Sequence, residues 1–316
     1  MVSSIRWGIL GTGAIAKTFA SELPHSQSGV LHAVGSRTEE SAARFAQAHG
    51  VSRTHGSYAS LLADAEVDAV YISTPHPDHA ALAIAAAEAG KHILCEKPLA
   101  MNHAEAMTVV EAARRNGVLL LEAFMYRFHP RTQKIAELIR GGAIGRVRLI
   151  RAAFSFSSPF RADGRLYNNA LGGGGILDVG CYTTSVARFV AGAAIGRPFA
   201  DPVRVSGSAV LCETGVDTIA AATLAFPDGI LAQLSCGVGL RQTSDLVVIG
   251  ESGSLTVPAF WNPPGVIERR DGTGKLEEVI EAGGPPHKYA LEADAVAAAL
   301  PAQESSLLSW ADSLGN

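Results

Sequence analysis

One turn near the start of the chain constrains its fold more than any other feature. Gly11-Thr12-Gly13-Ala14-Ile15-Ala16 follows a short apolar run at residues 5–10 and opens a stretch of helical spacing at 14–21. A G-x-G-x-x-A turn between strand and helix marks the first crossover of a doubly wound sheet: the first glycine permits the tight turn, the second leaves room above the backbone, and the alanine lets helix and strand pack closely. The pattern then repeats. Apolar runs at 30–35, 69–73, 92–95 and 118–122 alternate with helical stretches at 39–49, 79–89 and 104–115, with a helical turn at 60–62. Short strands between helices of about 10–12 residues predict βαβ units and a parallel sheet.

Beyond Arg127 the rhythm changes. A helix at 131–140 stops at Gly141-Gly142, and strand-like segments follow at 146–156, 203–211, 218–226, 230–238, 245–250 and 254–257. Pro227-Asp228-Gly229 reads as a turn, with proline presetting φ and glycine admitting positive φ. One long helix, 176–191, interrupts the strands. Strand runs with segregated helices predict an α+β domain with a large, mainly antiparallel sheet. The expected division is a Rossmann domain at 1–122 and a catalytic and oligomerising α+β domain at 123–316. Two domains also suit 316 residues, at roughly 100–200 residues per domain.

A net charge of −4 gives no electrostatic reason to expect nucleic acid or an anionic membrane as partner. No apolar run approaches the ~20 residues that span a bilayer, and the N-terminal MVSSIRWGILGTG lacks the pattern of a secretory signal. The four cysteines form no CxxC pair and read as free buried thiols. A soluble, cytoplasmic protein is the expectation.

The helix that begins at Ala14 and Ile15 would present its free N–H groups to a pyrophosphate lying over Gly11, Thr12 and Gly13. The end of the second strand should choose the dinucleotide. An NAD site commonly has Asp or Glu there for the ribose 2′-OH. This chain has Ser36-Arg37, a hydroxyl and a guanidinium suited to a 2′-phosphate, so NADP is expected, with NAD as the alternative.

Glu96-Lys97-Pro98 follows the fourth strand, at the carboxyl end where ligands bind in open α/β sheets. Together with G-x-G-x-x-A and Thr74-Pro75-His76-x-x-His79, at these spacings, it resembles the Gfo/Idh/MocA oxidoreductase family over nearly the whole chain. Gly172-Gly173-Gly174-Gly175-Ile176-Leu177-Asp178-Val179-Gly180-Cys181-Tyr182 looks like that family's catalytic helix, with tyrosine where many members carry histidine. That departure, with Glu122-Ala123-Phe124-Met125-Tyr126-Arg127-Phe128-His129-Pro130, resembles the tyrosine-type branch holding dihydrodiol dehydrogenase, NADP-dependent D-xylose dehydrogenase and glucose–fructose oxidoreductase.

The resemblance implies a dehydrogenase or reductase acting on a sugar or cyclic polyol. It leaves open a trans-dihydrodiol, an inositol or an anhydrosugar, and a catalytically silent NADP-binding sensor. The chemistry fits the residues. Alcohol oxidation needs a base, and a neutral tyrosine with a pKa near ~10 is a poor one at pH 7. A lysine cation nearby favours phenolate, so Lys97 and Tyr182 complement each other. Asp178, four residues before Tyr182, would share its helix face and orient Lys97 or bind a substrate hydroxyl.

The family likeness further implies cofactor contacts from His76, His79, Glu96, Lys97 and Arg165, and a substrate pocket bordered by Tyr126, Arg127 and Tyr289. Phe154, Phe156 and Phe160 are candidates for an entrance or for packing. Metal ligation by His76, His79 and Cys95 is not expected, because no further ligand has suitable spacing. A homo-oligomer, dimer or tetramer, is expected through the C-terminal sheet, whose apolar supply includes Val203, Val205, Ile219, Leu224, Leu231, Leu234 and Val247. Relatives generally continue past a motif like Ser313-Leu314-Gly315-Asn316 into a final helix, which leaves either a truncated C-terminus or a further tail as readings.

Overall fold

A computed structural model describes residues 4–262 and 265–316; the first three residues of the N-terminal stretch read above lie outside them. The chain divides into two units. The described residues up to Phe128, with His287–Leu314, form the first, and His129–Pro286, with Gly315–Asn316, form the second.

The first unit alternates strands and helices in chain order: β1 (Ile5–Leu10), α1 (Ala14–Glu22), β2 (Gly29–Gly35), α2 (Glu39–His49), β3 (Arg53–His55), α3 (Tyr58–Leu62), β4 (Ala69–Ile72), α4 (His79–Glu88), β5 (His92–Glu96), α5 (His103–Asn116) and β6 (Leu120–Ala123). The sheet runs β3-β2-β1-β4-β5-β6, parallel throughout. Strands β4 and β6 are buried at every position, as strands covered on both faces must be. The helices end where expected: Gly50 and Gly117 follow α2 and α5 in the left-handed conformation that glycine tolerates best. Strand β3 has no apolar signal. Its polar Arg53-Thr54-His55 forms an edge by pairing with β2.

The second unit contains α6 (Pro130–Arg140), β7 (Val147–Ser155), a π-helical turn (Ile176–Gly180) that runs into α7 (Cys181–Ala194), and β8 (Arg204–Leu211), β9 (Asp217–Ala225), β10 (Leu231–Gly237), β11 (Leu246–Gly250), β12 (Gly253–Val257), β13 (Val266–Asp271) and β14 (Leu276–Glu281). The sheet runs β14-β13-β12-β11-β7-β10-β9-β8. The β7–β10 pair is parallel and the others antiparallel. Strands β13 and β14 went unread because charged residues such as Glu268, Arg269, Glu277 and Glu278 interrupt any apolar alternation. In the turn at 227–229, Asp228 as well as Gly229 takes positive φ. All four cysteines are free, and burial pushes the thiol of Cys95 well above its ordinary pKa, leaving it neutral.

The chain ends with α8 (Lys288–Ala299) and α9 (Trp310–Gly315). Here the structure departs from the expected division at 122. The first unit runs on to Phe128, and the segment 287–314 joins it rather than the second domain. Polar anchors explain the return. Asp294 accepts from Ser26 Oγ, Gln27 N and Ser28 Oγ at 2.7, 2.9 and 2.6 Å. Glu22 accepts the Tyr289 N–H at 2.8 Å, placing a carboxylate at the positive end of α8. Trp310 Nε1 donates to the Leu120 carbonyl, and buried Arg127 pairs with buried Asp312 at 2.9 Å.

Candidate active site

In the first unit the strand order reverses at β1, so the loops after β1 and β4 flank the crevice where doubly wound sheets bind ligands. Gly11 adopts φ +110°, and a side chain there would press on the Ser73 backbone carbonyl at 3.1 Å. Gly13 differs. Its φ is −72°, and an added Cβ would meet no protein atom within 4 Å. The fold does not require glycine at that point, and the open space leaves room for a group to lie on the loop. Among the described residues, no side chain caps α1 and its first turn has no acidic residue. Its leading N–H groups therefore stay free for an anion, and the cradle fits a dinucleotide pyrophosphate. Thr12 Oγ1 and Ser41 Oγ, 2.9 Å apart, tie the loop to α2.

At the end of β2, Ser36 is buried and Arg37 exposed. The first turn of α2 carries Glu39 and Glu40, which would repel a 2′-phosphate. Both are engaged elsewhere, Glu39 by Thr54 Oγ1 at 2.6 Å and Glu40 by Arg44. After β4, Thr74-Pro75 leads into a short turn in which buried His76 meets His79 edge-on at 5.7 Å. The His79 ring spans two carbonyl oxygens, Pro98 O at 2.8 Å and Thr74 O at 3.0 Å, and so clamps the β4 and β5 loops together. Burial pulls its pKa down, against the pull of those two acceptors.

After β5, Glu96 is buried and doubly held. Its Oε1 accepts from the Tyr71 hydroxyl at 2.5 Å and its Oε2 from the Lys97 N–H at 3.3 Å. Phe19 of α1 stacks on Tyr71 with ring centroids 4.0 Å apart. The Lys97–Pro98 peptide is cis. The three expected substrate residues of this unit are all buried within it: Tyr126 meets Phe124 edge-on, Arg127 pairs with Asp312, and Tyr289 lies at the start of α8. The ion pair gives Arg127 a structural task.

In the second unit the glycine run is a close-packed turn. A side chain on Gly173 would come within 2.8 Å of the Leu166 carbonyl, one on Gly175 within 2.8 Å of Gly237 Cα, and one on Gly174, at φ +110°, would collide with the Asp217 carboxylate. Asp217 Oδ2 accepts the Ile176 N–H at 2.8 Å, and the Gly175 N–H also donates to this carboxylate. Burial still raises its pKa above the ordinary aspartate value.

The helix expected over 176–191 starts as a π turn before becoming α-helical at Cys181, a departure common at functional sites. Gly180 lies tight on Cys236, whose Sγ would be 2.8 Å from an added Cβ. Asp178, nearly buried, accepts from Arg165 Nη1 at 2.9 Å, so the residue expected at the cofactor sits on the candidate catalytic carboxylate. The Tyr182 ring is set edge-on against Phe154 at 5.3 Å and Trp261 at 5.5 Å, and these two stack on each other at 5.0 Å. A cleft of about 880 Å³ opens beside Phe154 and Phe156, with Arg241, Gln242, Asp245 and Asn262 among its polar lining.

The family model described as "Oxidoreductase family, NAD-binding Rossmann fold" of GFO/IDH/MocA matches residues 5–124, and the GFO/IDH/MocA C-terminal domain matches residues 132–256. The chain belongs to the Gfo/Idh/MocA oxidoreductase family. It is 37% identical to the trans-1,2-dihydrobenzene-1,2-diol dehydrogenase of Danio rerio over 84% of this chain and 78% of that protein. It is 35% identical to an NADP(+) D-xylose 1-dehydrogenase of Haloferax volcanii over 95% and 90%. Among solved structures it is similar to KijD10, a 3-ketoreductase from Actinomadura kijaniata in complex with NADP and TDP-benzene, at 29% identity and TM-score 0.85 over 99% of this chain and 94% of that one.

As a Gfo/Idh/MocA protein the chain is an oxidoreductase with an NAD-binding Rossmann domain. Reading its sequence located the glycine loop, the Glu96-Lys97-Pro98 turn and the Asp178–Tyr182 helix start. It missed Asp217, Trp261 and Tyr71, which hold those groups, because no local spacing links position 217 to 176 or 261 to 182. Among the described residues no helix is long and apolar enough to cross a membrane.

Proposed function

We propose that this oxidoreductase interconverts a hydroxyl and a carbonyl on a sugar or cyclic polyol, with NADP preferred over NAD. The observation that carries the reading is Tyr182 itself: a buried phenol locked by Phe154 and Trp261, one turn after a buried carboxylate. Gly11, Thr12, Gly13, Ala14 and Ile15 would hold the pyrophosphate, Ser36 and Arg37 the 2′-phosphate, and Thr74, Pro75, His76, His79 and Glu96 would serve the nicotinamide half. Bound NADP supplies the hydride acceptor, and NADPH the donor. Lys97 polarises the reacting oxygen and favours the phenolate of Tyr182, which exchanges the proton. Asp178, paired with Arg165, orients a substrate hydroxyl. The polar lining beside Phe154 suits a polyhydroxylated molecule.

The experiment is NADPH formation across a panel of aldoses, inositols and trans-dihydrodiols, with ketosugar-dependent NADPH oxidation as the reverse arm. The similarity to a 3-ketoreductase motivates that arm. Turnover of none of them, with NADPH bound, would favour a silent sensor.

We further propose a cytoplasmic homodimer joined through the second sheet. Val205, Val210 and Leu211 of its outer strand β8, and Val203 just before it, are each at least 60% exposed. Leu224 and Leu234, expected to serve the interface, are instead buried within the unit. Light scattering should give twice the chain mass at micromolar concentration; a stable monomer overturns this.

A further inference from the structure

Glu292 lies in the middle of α8 and is completely buried. Neither of its carboxyl oxygens has a hydrogen-bond partner among the described residues. Glu96, buried in the same unit, stands in contrast: each of its oxygens accepts a hydrogen bond, from Tyr71 and from the Lys97 N–H. The two carboxyls lie within electrostatic reach, and a charge on Glu96 opposes a charge on Glu292.

Two buried carboxyls that feel each other do not both ionise at low cost. Donated hydrogen bonds stabilise the charged form, and their absence leaves a buried carboxylate uncompensated. We propose that Glu292 is a buried neutral acid and a positioning residue: by keeping its proton it confines the negative charge of the pair to Glu96, where Tyr71 and the Lys97 backbone hold it. This applies whatever alcohol or carbonyl the chain acts on.

The surrounding groups agree. Burial, then Glu96, raises the Glu292 carboxyl well above the ordinary range; Lys288 pulls it down and Glu22 adds to the rise. Tyr71 is likewise held far above its usual value by burial and then by Glu96, so it stays a hydroxyl donor, and Tyr289 of α8 is raised by burial and by Glu96, Glu292 and Glu22. Of the other elements packed on α8, α1 carries the exposed Lys17, His25 stacks on His287, Arg127 pairs with Asp312, and His32 of β2 contacts Glu66.

The test is infrared titration of the cofactor-free full chain. A protonated-carboxyl stretch should persist well above the ~4.3 of an ordinary glutamate, and should vanish in Glu292→Gln. In Glu96→Gln the opposing charge is gone, so the same band should titrate at lower pH; a carboxyl that merely fills space would be unmoved. Should that variant not fold, Tyr71→Phe removes a donor from Glu96, moves part of the proton there and should weaken the Glu292 band. A band that titrates as an ordinary glutamate, or ignores the changes at both Glu96 and Tyr71, overturns the proposal. Stability supplies a second readout. A raised native pKa on an acid means stability is fullest below the unfolded value and falls as pH rises toward the native one. Glu292→Gln should remove that fall, so its advantage in thermal midpoint should grow from acid to neutral pH. No growth contradicts the assignment.

Discussion

The molecule contains two glycine turns that open onto helices, and they are finished in opposite ways. At Gly11–Gly13 the start of α1 is left open: no cap, no acid in the first turn, and clear space over Gly13. At Gly173–Gly175 the corresponding opening is filled by the protein's own Asp217, with each glycine pressed against backbone or carboxylate. Both turns supply bare N–H groups. Where the chain provides no acceptor, the turn is left open to a foreign anion. Where it provides one, the turn is a mount that sets the direction of Asp178 and Tyr182.

The largest effect should come from the group carried on the closed turn. Tyr182→Phe keeps the ring between Phe154 and Trp261 and removes the phenol. Turnover should fall by about 10²–10⁴, the worth of a positioned acid–base group, while NADPH affinity holds. Lys97→Ala should also cripple turnover, and the double variant should be little worse than the worse single one, since groups acting as a unit are non-additive. In the unaltered protein, oxidation should rise with pH as the phenolate forms. Near-full activity in Tyr182→Phe would reduce the closed turn to a packing feature.

The mount itself comes next. Asp217→Ala removes hydrogen bonds to a charged acceptor, each worth about 1.5–3 kcal/mol. It should lower the melting temperature and reduce kcat more than it raises KM for cofactor, with Asp217→Asn recovering part of both. If cofactor affinity fell instead, the division of labour between the two turns would be wrong.

On the open turn's side, Arg37→Ala should narrow the preference for NADPH over NADH by roughly 1–3 kcal/mol, the scale of a charge-assisted contact. Equal Kd values in the unaltered protein would remove the basis for that preference.

The smallest change draws the comparison most sharply. Gly13→Ala adds a methyl group that meets no protein atom, so stability should hold or rise by about 0.4–1 kcal/mol. Pyrophosphate binding should weaken by about tenfold, close to 1.4 kcal/mol. Gly174→Ala should do the reverse, losing stability and turnover with cofactor affinity retained. Calorimetry and fluorescence titration on the same pair of variants decide between them.

The two turns also differ in how far their purpose was legible. The open turn could be read from position alone, between an apolar run and a helical one. The closed turn could be read as helix-opening, but not as closed, because Asp217 lies 41 residues further along. The same holds for α8. Nothing near residues 288–299 announces that Asp294 is bound for Ser26 and Ser28, so the local sequence gives no sign that the tail joins the first unit.

The sequence by itself determined the parallel sheet, the dinucleotide loop, the Ser36-Arg37 reading and the candidates proposed to carry the chemistry. These depend on side-chain period, backbone freedom at glycine and functional groups at strand ends, all of which are local. The tertiary structure alone decided which glycine turn stays open, that the helix before Tyr182 begins with a π turn, that Arg127 pairs with Asp312, and that Glu292 is buried with no hydrogen-bond partner among the described residues. Those outcomes depend on hydrogen-bond partners and loss of solvent between residues far apart in the chain, and no local pattern encodes a partner's position.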